Sequence, residues 1–404
     1  MARHILALIA ILLCSTVAWF ILSASIHVRT NDAGNGLGPA VESSWGSPQE
    51  QQPPFVTTSS LVQKTAHDPQ TNTTKVVTEG VETDLPLERS RVRVAFDLEQ
   101  RQKGLLWFPT YRVDFHGDYV VRNTSPSDEV TVRLCFPAPE AIYDDLVLRI
   151  DGQNVATTTA NGGVFAVVHR PPGSQIRIET GYRSQGMRTW KYTFGKGVAQ
   201  VHDFALEMQT NFRDIDFPPA SLSPTTKQPA PRGWVLTWKY ANVVSGYGIG
   251  MVMPEKLQPG PLAGRISLFA PVSLLFFFFF LFVITRLRNI DLHPMHYFFL
   301  AAAFFAFHLL LAYLVDHVSI HAAFVVSSAV SIFLVVSYLR LVVSARFAWR
   351  EAALAQFVYL VLFSYAFFFK GFTGLAITIG AIISLFAAMQ MTARVDWRGD
   401  HISG

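Results

Sequence analysis

The residues singled out as able to do chemistry are histidines and Asp316, set in a largely apolar C-terminal block. His308 lies in the middle of an apolar run, and Asp316, His317 and His321 cluster at the outer end of that run. An ionisable side chain at membrane depth is costly and is by default a functional-site hypothesis. On a helix His308 and Asp316 share a broad face about two turns apart. One reading is a proton or ion path along that face. The other is that neutral His308 hydrogen-bonds a neighbouring helix, with Ser331 or Tyr365 as partner, which is an ordinary interhelical contact. His317 and His321 have the i, i+4 spacing of metal ligands. A helix–helix turn is expected between them, so no metal site is assigned. His293 and His296, at the entry of the same run, read as interfacial.

Outside the block the candidates are fewer. Trp107, Phe108 and Tyr111 could form an aromatic binding face, although such clusters are more often core. Asp144 and Asp145 are neighbours in a strand and face opposite ways, so they make no catalytic dyad. Gly195-Lys196-Gly197 lacks the upstream glycine and the following Ser or Thr of a phosphate loop. Gly246 to Gly250 lacks the strand–turn–helix context of a dinucleotide site. Neither a Gly-x-Ser-x-Gly elbow nor a His-Glu-x-x-His pair occurs. No catalytic residue, metal or cofactor is assigned, and the chain reads as a non-enzyme.

The elements that must position these residues are long apolar runs. Five occur after Arg265: Ser267–Thr285, Met295–Val315, Ala322–Val343, Ala352–Phe369 and Phe372–Thr392. Each is near or above the roughly 18–20 residues needed to cross a hydrocarbon core. Backbone in lipid must satisfy its own hydrogen bonds, so the runs are predicted to be helices. Arg286 and Arg288 separate the first two runs, and Arg340, Arg346 and Arg350 separate the third and fourth. Arg394 and Arg398 follow the fifth, while Asp316–His321 carries no Lys or Arg and the turn near Gly371 has only Lys370. Basic short loops stay cytoplasmic. This places both termini in the cytoplasm and residues 29–265 outside.

The N-terminus carries a sixth run, from Ile5 to about Leu22, behind a basic start. It is long for a cleaved signal and reads as an uncleaved anchor over residues 1–28. Residues 29–88 are rich in Gly, Pro, Ser, Thr, Gln and Asn, and read as a disordered polar linker. Residues 89–262 change to alternation: Val92, Val94, Phe96 and Leu98 point one way, Arg91, Arg93 and Asp97 the other. That pattern predicts half-buried strands. Further strands are expected at Thr110–Phe115, Asp118–Arg122, Glu129–Phe136, Leu146–Ile150, Val164–His169, Gln175–Tyr182, Ala199–Glu207 and Gly233–Tyr240, giving a sandwich-like all-β domain. Asn161-Gly162 is expected to turn a hairpin. Residues 263–404 form the five-helix bundle. The formal net charge of +4 rests largely on the loop arginines and is no nucleic-acid signal. The two cysteines, Cys14 and Cys135, fall in an apolar run and a strand, so no disulfide is expected.

Several strings resemble the CreD family of bacterial inner-membrane proteins, linked to envelope stress and colicin tolerance. They are Leu292-His293-Pro294-Met295-His296-Tyr297, Tyr313-Leu314-Val315-Asp316-His317, Ser337-Tyr338-Leu339-Arg340 and Arg394-Val395-Asp396-Trp397. Arg101-Gln102-Lys103-Gly104 with Phe108-Pro109-Thr110-Tyr111 is similar to the family's short segment in the external domain. The resemblance implies an envelope protein without established catalytic residues. The expected partners are the lipid bilayer and a periplasmic or membrane protein, not nucleic acid. The alternative expectation is a transporter or proton-coupled protein built on His308.

Overall fold

The structure is a computed structural model that describes residues 2–68, 73–103, 106–160, 162–195, 197–369 and 371–393, with side chains outside 2–4 and 60–81. The chain divides into two compact units: residues 1–35, 104–106 and 257–404 in one, and 36–103 and 107–256 in the other.

The first unit is helical. Six helices among the described residues are long and apolar enough to cross a membrane. Helix α1 runs from Ala2 to Trp45. Then follow α2 (Pro259–Leu287), α3 (Pro294–Leu314) and α4 (Ile320–Val342). Last come α5 (Ala345–Phe368) and α6 (Thr373–Thr392). Three of them, α3, α4 and α5, start on side-chain caps. His293 Nδ1 accepts from Met295 N–H ahead of Pro294 at the first turn of α3, Ser319 caps α4 and Ser344 caps α5. Helix α5 is irregular, with π-helical turns at Ala348–Ala352 and Phe357–Leu362. A widened turn leaves backbone carbonyls for other partners, and the Tyr359 carbonyl accepts from Ser273 on α2. One buried cluster with Leu274, Phe277, Phe304, Phe307 and Leu360 holds the bundle together.

Helices α1 and α2 approach closely along small residues. A Cβ on Gly260 would meet Thr30 Oγ1 at 2.4 Å, and one on Gly264 would meet His27 Nδ1 at 3.1 Å. Ser23 Oγ donates to the Gly264 carbonyl at 3.0 Å. The Gly-x-x-x-Gly spacing of Gly260 and Gly264 lets two backbones come together where lipid supplies no hydrophobic drive.

The second unit is built of strands. In chain order they are β1 (Gln49–Gln51), β2 (Phe55–Asp68), β3 (Thr73–Asp84), β4 (Leu87–Lys103), β5 (Leu106–Arg122), β6 (Glu129–Cys135), β7 (Tyr143–Ile150) and β8 (Gln153–Asn154). The rest are β9 (Thr158–Ala160), β10 (Gly163–His169), β11 (Gln175–Met187), β12 (Thr189–Tyr192), β13 (Ala199–Thr210), β14 (Thr226–Pro229), β15 (Trp234–Ser245) and β16 (Ile249–Val252). An eight-stranded sheet has the order β14-β15-β13-β4-β5-β11-β7-β8, and a five-stranded sheet the order β3-β2-β6-β10-β9. A three-stranded sheet, β1-β12-β16, completes the set. The alternation read in β4 is real: Val92, Val94 and Phe96 are buried, Arg93 and Asp97 exposed. Val94, Val113 and Phe115 of the large sheet share one buried cluster with Val130, Val132 and Val164 of the five-stranded sheet, the packing of a β-sandwich.

Three expectations need correction. Residues 29–88 are not a disordered linker where the structure describes them. Helix α1 continues to Trp45, and β2 and β3 pair in register from Thr57↔Asp84 to Asp68↔Thr73. The segment is poor in aliphatics but rich in Thr and Val, which suit a strand, and Val56 is buried beside β6. Thr110–Phe115 and Asp118–Arg122 are one strand, β5, because Gly117 does not break it. The Tyr119 ring covers Gly117, where a Cβ would meet the ring at 2.5 Å. The boundary at residue 89 also moves, since the β unit begins at 36. Asn161 of the expected hairpin, Lys196, Lys370, Arg394 and Arg398 lie outside the described residues.

Candidate functional site

His308 is buried on α3. Its Nδ1 lies 3.0 Å from the Phe304 carbonyl one turn back. A carbonyl can only accept, so Nδ1 carries the hydrogen and Nε2 of the neutral ring is a lone pair. That Nε2 is buried and takes no hydrogen bond among the described residues. Aromatic rings enclose it, with Phe307 at 4.8 Å and Trp19 of α1 at 5.5 Å, both edge-on. The Trp19 Nε1–H is likewise buried without a partner among the described residues.

The expected polar cluster does not gather. Asp316 is engaged by α1: Arg29 Nη1 is 3.2 Å from Asp316 Oδ2, and Arg29 Nη2 donates to the Ala312 carbonyl at 2.6 Å. The guanidinium also sits 5.2 Å from the centre of the Tyr313 ring. His317 is exposed in the α3–α4 turn, and His321, in the first turn of α4, lies 5.2 Å from the Phe368 ring. The turn expected between the last two is present. Neither named partner bonds His308: Ser331 Oγ donates to the Ala303 carbonyl at 2.7 Å, and Tyr365 stacks on Phe368.

The aromatic face in the β unit is also corrected. Successive strand residues point to opposite faces. Phe108 is buried while Trp107 is half-buried under Lys256 Nζ at 3.7 Å. Tyr111 is fully buried; its ring packs edge-on to Phe96 and its hydroxyl donates to the Thr189 carbonyl at 2.9 Å. Two of the three rings are core.

Four residues were missed. Trp19 and Arg29, both on α1, bind the two ends of the His308–Asp316 stretch. Gln356, fully buried on α5, donates to Ser331 Oγ on α4 at 2.8 Å, and its Oε1 has no partner among the described residues. A lone Gln inside an apolar run was the readable signal for that interhelical bond. Tyr338 on α4 meets His296 Nδ1 at 2.8 Å. Its signal was present too, because both residues lie in the strings that carry the family resemblance.

Six apolar helices and a sheet-rich unit over residues 49–252 define a polytopic helical membrane protein with a β-sandwich-like domain. Residues 244–398 match the family model described as inner membrane protein CreD. The matched segment contains Gln356, His308, Asp316 and the His296–Tyr338 pair, but not α1 or most of the β unit. No curated protein matches the chain. Among solved structures, a Legionella pneumophila protein described as a nutrient binding protein aligns at a TM-score of 0.35 and 9% identity, over 57% of this chain and 76% of its own. An M1 zinc metallopeptidase from Deinococcus radiodurans aligns at a TM-score of 0.27 and 12% identity, over 42% of each chain. Likeness of that degree carries no argument.

Proposed function

We propose that this is a non-enzymatic envelope protein whose β unit lies in the periplasm and docks a periplasmic or membrane protein, in the service of envelope integrity or stress response. The observation that supports this is an exposed apolar patch on the β unit. Val198, Val244 and Tyr247 are 72%, 63% and 57% exposed. The pairing Gln200↔Val244 and the 3.5 Å approach of a Gly246 Cβ to Val198 place them together. A contiguous apolar patch on a soluble face commonly marks an interaction site. A photo-crosslinking residue at Tyr247 in the full chain, in intact cells, should give one discrete adduct that the same residue at Arg93 does not. No adduct, or the same adduct from both positions, would count against docking.

The second reading, a proton-coupled membrane protein, is favoured by one observation, the Nε2 of His308, which has no partner among the described residues. Proteoliposomes carrying the native chain should then pass protons faster than empty vesicles, and His308→Leu should abolish the difference. Equal leak in all three preparations would remove this reading.

A further inference from the structure

A cavity of about 710 Å³ opens within the bundle, between α2, α5 and α6. It is lined almost wholly by apolar side chains, among them Phe280, Leu354, Val358 and Ile383. Its size falls within the range of about 300–1,000 Å³ typical of small-molecule sites. One charged residue lines it, Glu351, at the end where Ile284 of α2 and Met391 of α6 also contribute. Glu351 Oε1 is paired with Arg288, while Oε2 is buried and takes no hydrogen bond among the described residues. Arg288 is half-exposed and Arg350, next in the chain, is exposed.

We propose that this cavity binds one phosphatidylethanolamine molecule, with an acyl chain along α5 and the headgroup at the Glu351–Arg288 pair. The charges select the headgroup. A buried carboxylate oxygen is costly unless it receives a donor, and a cationic donor serves it best. The primary ammonium of the lipid supplies that donor to Oε2. Its phosphate meets the guanidinium of Arg288 or Arg350, since basic residues at the membrane interface hold lipid phosphates. A lipid with phosphate and hydroxyls alone satisfies the arginines but brings no cation to Glu351. The proposal is independent of the partner docking suggested for the β unit.

The test is native mass spectrometry of the full chain, reconstituted with phosphatidylethanolamine or phosphatidylglycerol and then released from detergent. The native chain should retain one phosphatidylethanolamine in preference to phosphatidylglycerol. Glu351→Gln should reduce that preference about tenfold, the value of one charge-assisted hydrogen bond. Gly380→Leu is the second variant. Gly380 lines the cavity and a Cβ there meets nothing within 4 Å, so the leucine fills the space without a clash. It should lose both lipids while the protein stays folded. Equal retention of the two lipids by the native chain, or unchanged retention in either variant, would overturn the proposal.

Discussion

Burial of polar side chains decides most of what single residues do here. In the β unit, loss of water pushes the Tyr143 hydroxyl from 10.0 up to about 12 and raises Tyr111, Tyr119 and Tyr182 in the same direction. The unfolded chain would ionise these groups near pH 10 while the folded chain holds their protons. The unfolded state then binds fewer protons, so stability falls as pH rises. The contribution is complete below about pH 10 and is lost as pH climbs through about 12. On alkaline titration of the full chain in detergent, tyrosinate absorbance from these rings and loss of the near-ultraviolet dichroism should appear in one transition. Tyrosinate from the buried rings forming well ahead of the dichroism change would contradict this. In the helical unit, Arg29 and Asp316 are partly exposed, at 37% and 20% of the side chain, so solvent screens their pair. Arg29→Ala should cost no more than about 1 kcal/mol in thermal unfolding. A much larger loss would mean the pair anchors α1. His308 was legible in the sequence because a titratable group in an apolar run stands out. Its contact with Trp19 was not, since nothing local ties residue 19 to residue 308. Tyr111 and Phe108 were left open between a binding face and core because an aromatic cluster looks alike inside and outside a sandwich.

At the scale of elements, the bundle was the legible part. Run length and apolar composition predicted α2 to α6; the structure moves most of their ends by one or two residues but starts α2 at Pro259 rather than Ser267 and α5 at Ala345 rather than Ala352. The capping residues His293, Ser319 and Ser344 account for where α3, α4 and α5 begin. Helix α1 was read too short, because Gly34, Gly36, Gly38 and Pro39 are poor helix formers and suggested a stop. The helix passes through them, and the division between the two compact units falls there, between Asn35 and Gly36. The strands of residues 55–84 were missed because low aliphatic content was weighed above the Thr and Val that favour extended backbone. The α1–α2 seam gives a direct prediction. Gly264→Ile places its branch against His27 and Ile26, and overpacking of this kind costs about 1–3 kcal/mol. Gly374→Ile, where a Cβ meets nothing within 4 Å, should leave thermal stability within about 0.5 kcal/mol of the native chain. Equal melting of the two variants in detergent would mean that α1 does not rest on the glycine seam.

For the whole molecule, the account depends on which side of the membrane each unit occupies. The family match, to inner membrane protein CreD, covers residues 244–398. The orientation is argued from charge. Arg286, Arg288, Arg340, Arg346 and Arg350 fall at the ends of α2, α4 and α5 that the bundle order places together, and short loops rich in arginine stay cytoplasmic. An inverted bundle would carry all five to the outside and bring the β unit, with its Val198, Val244 and Tyr247 patch, into the cytoplasm. The most direct test uses single cysteines in a chain whose Cys14 and Cys135 are replaced by serine, probed in intact spheroplasts with an impermeant thiol reagent. Val198→Cys and His317→Cys should react from outside, and Arg346→Cys only after lysis. Labelling of Arg346→Cys in intact spheroplasts, with Val198→Cys protected until lysis, would contradict the orientation and the periplasmic function built on it.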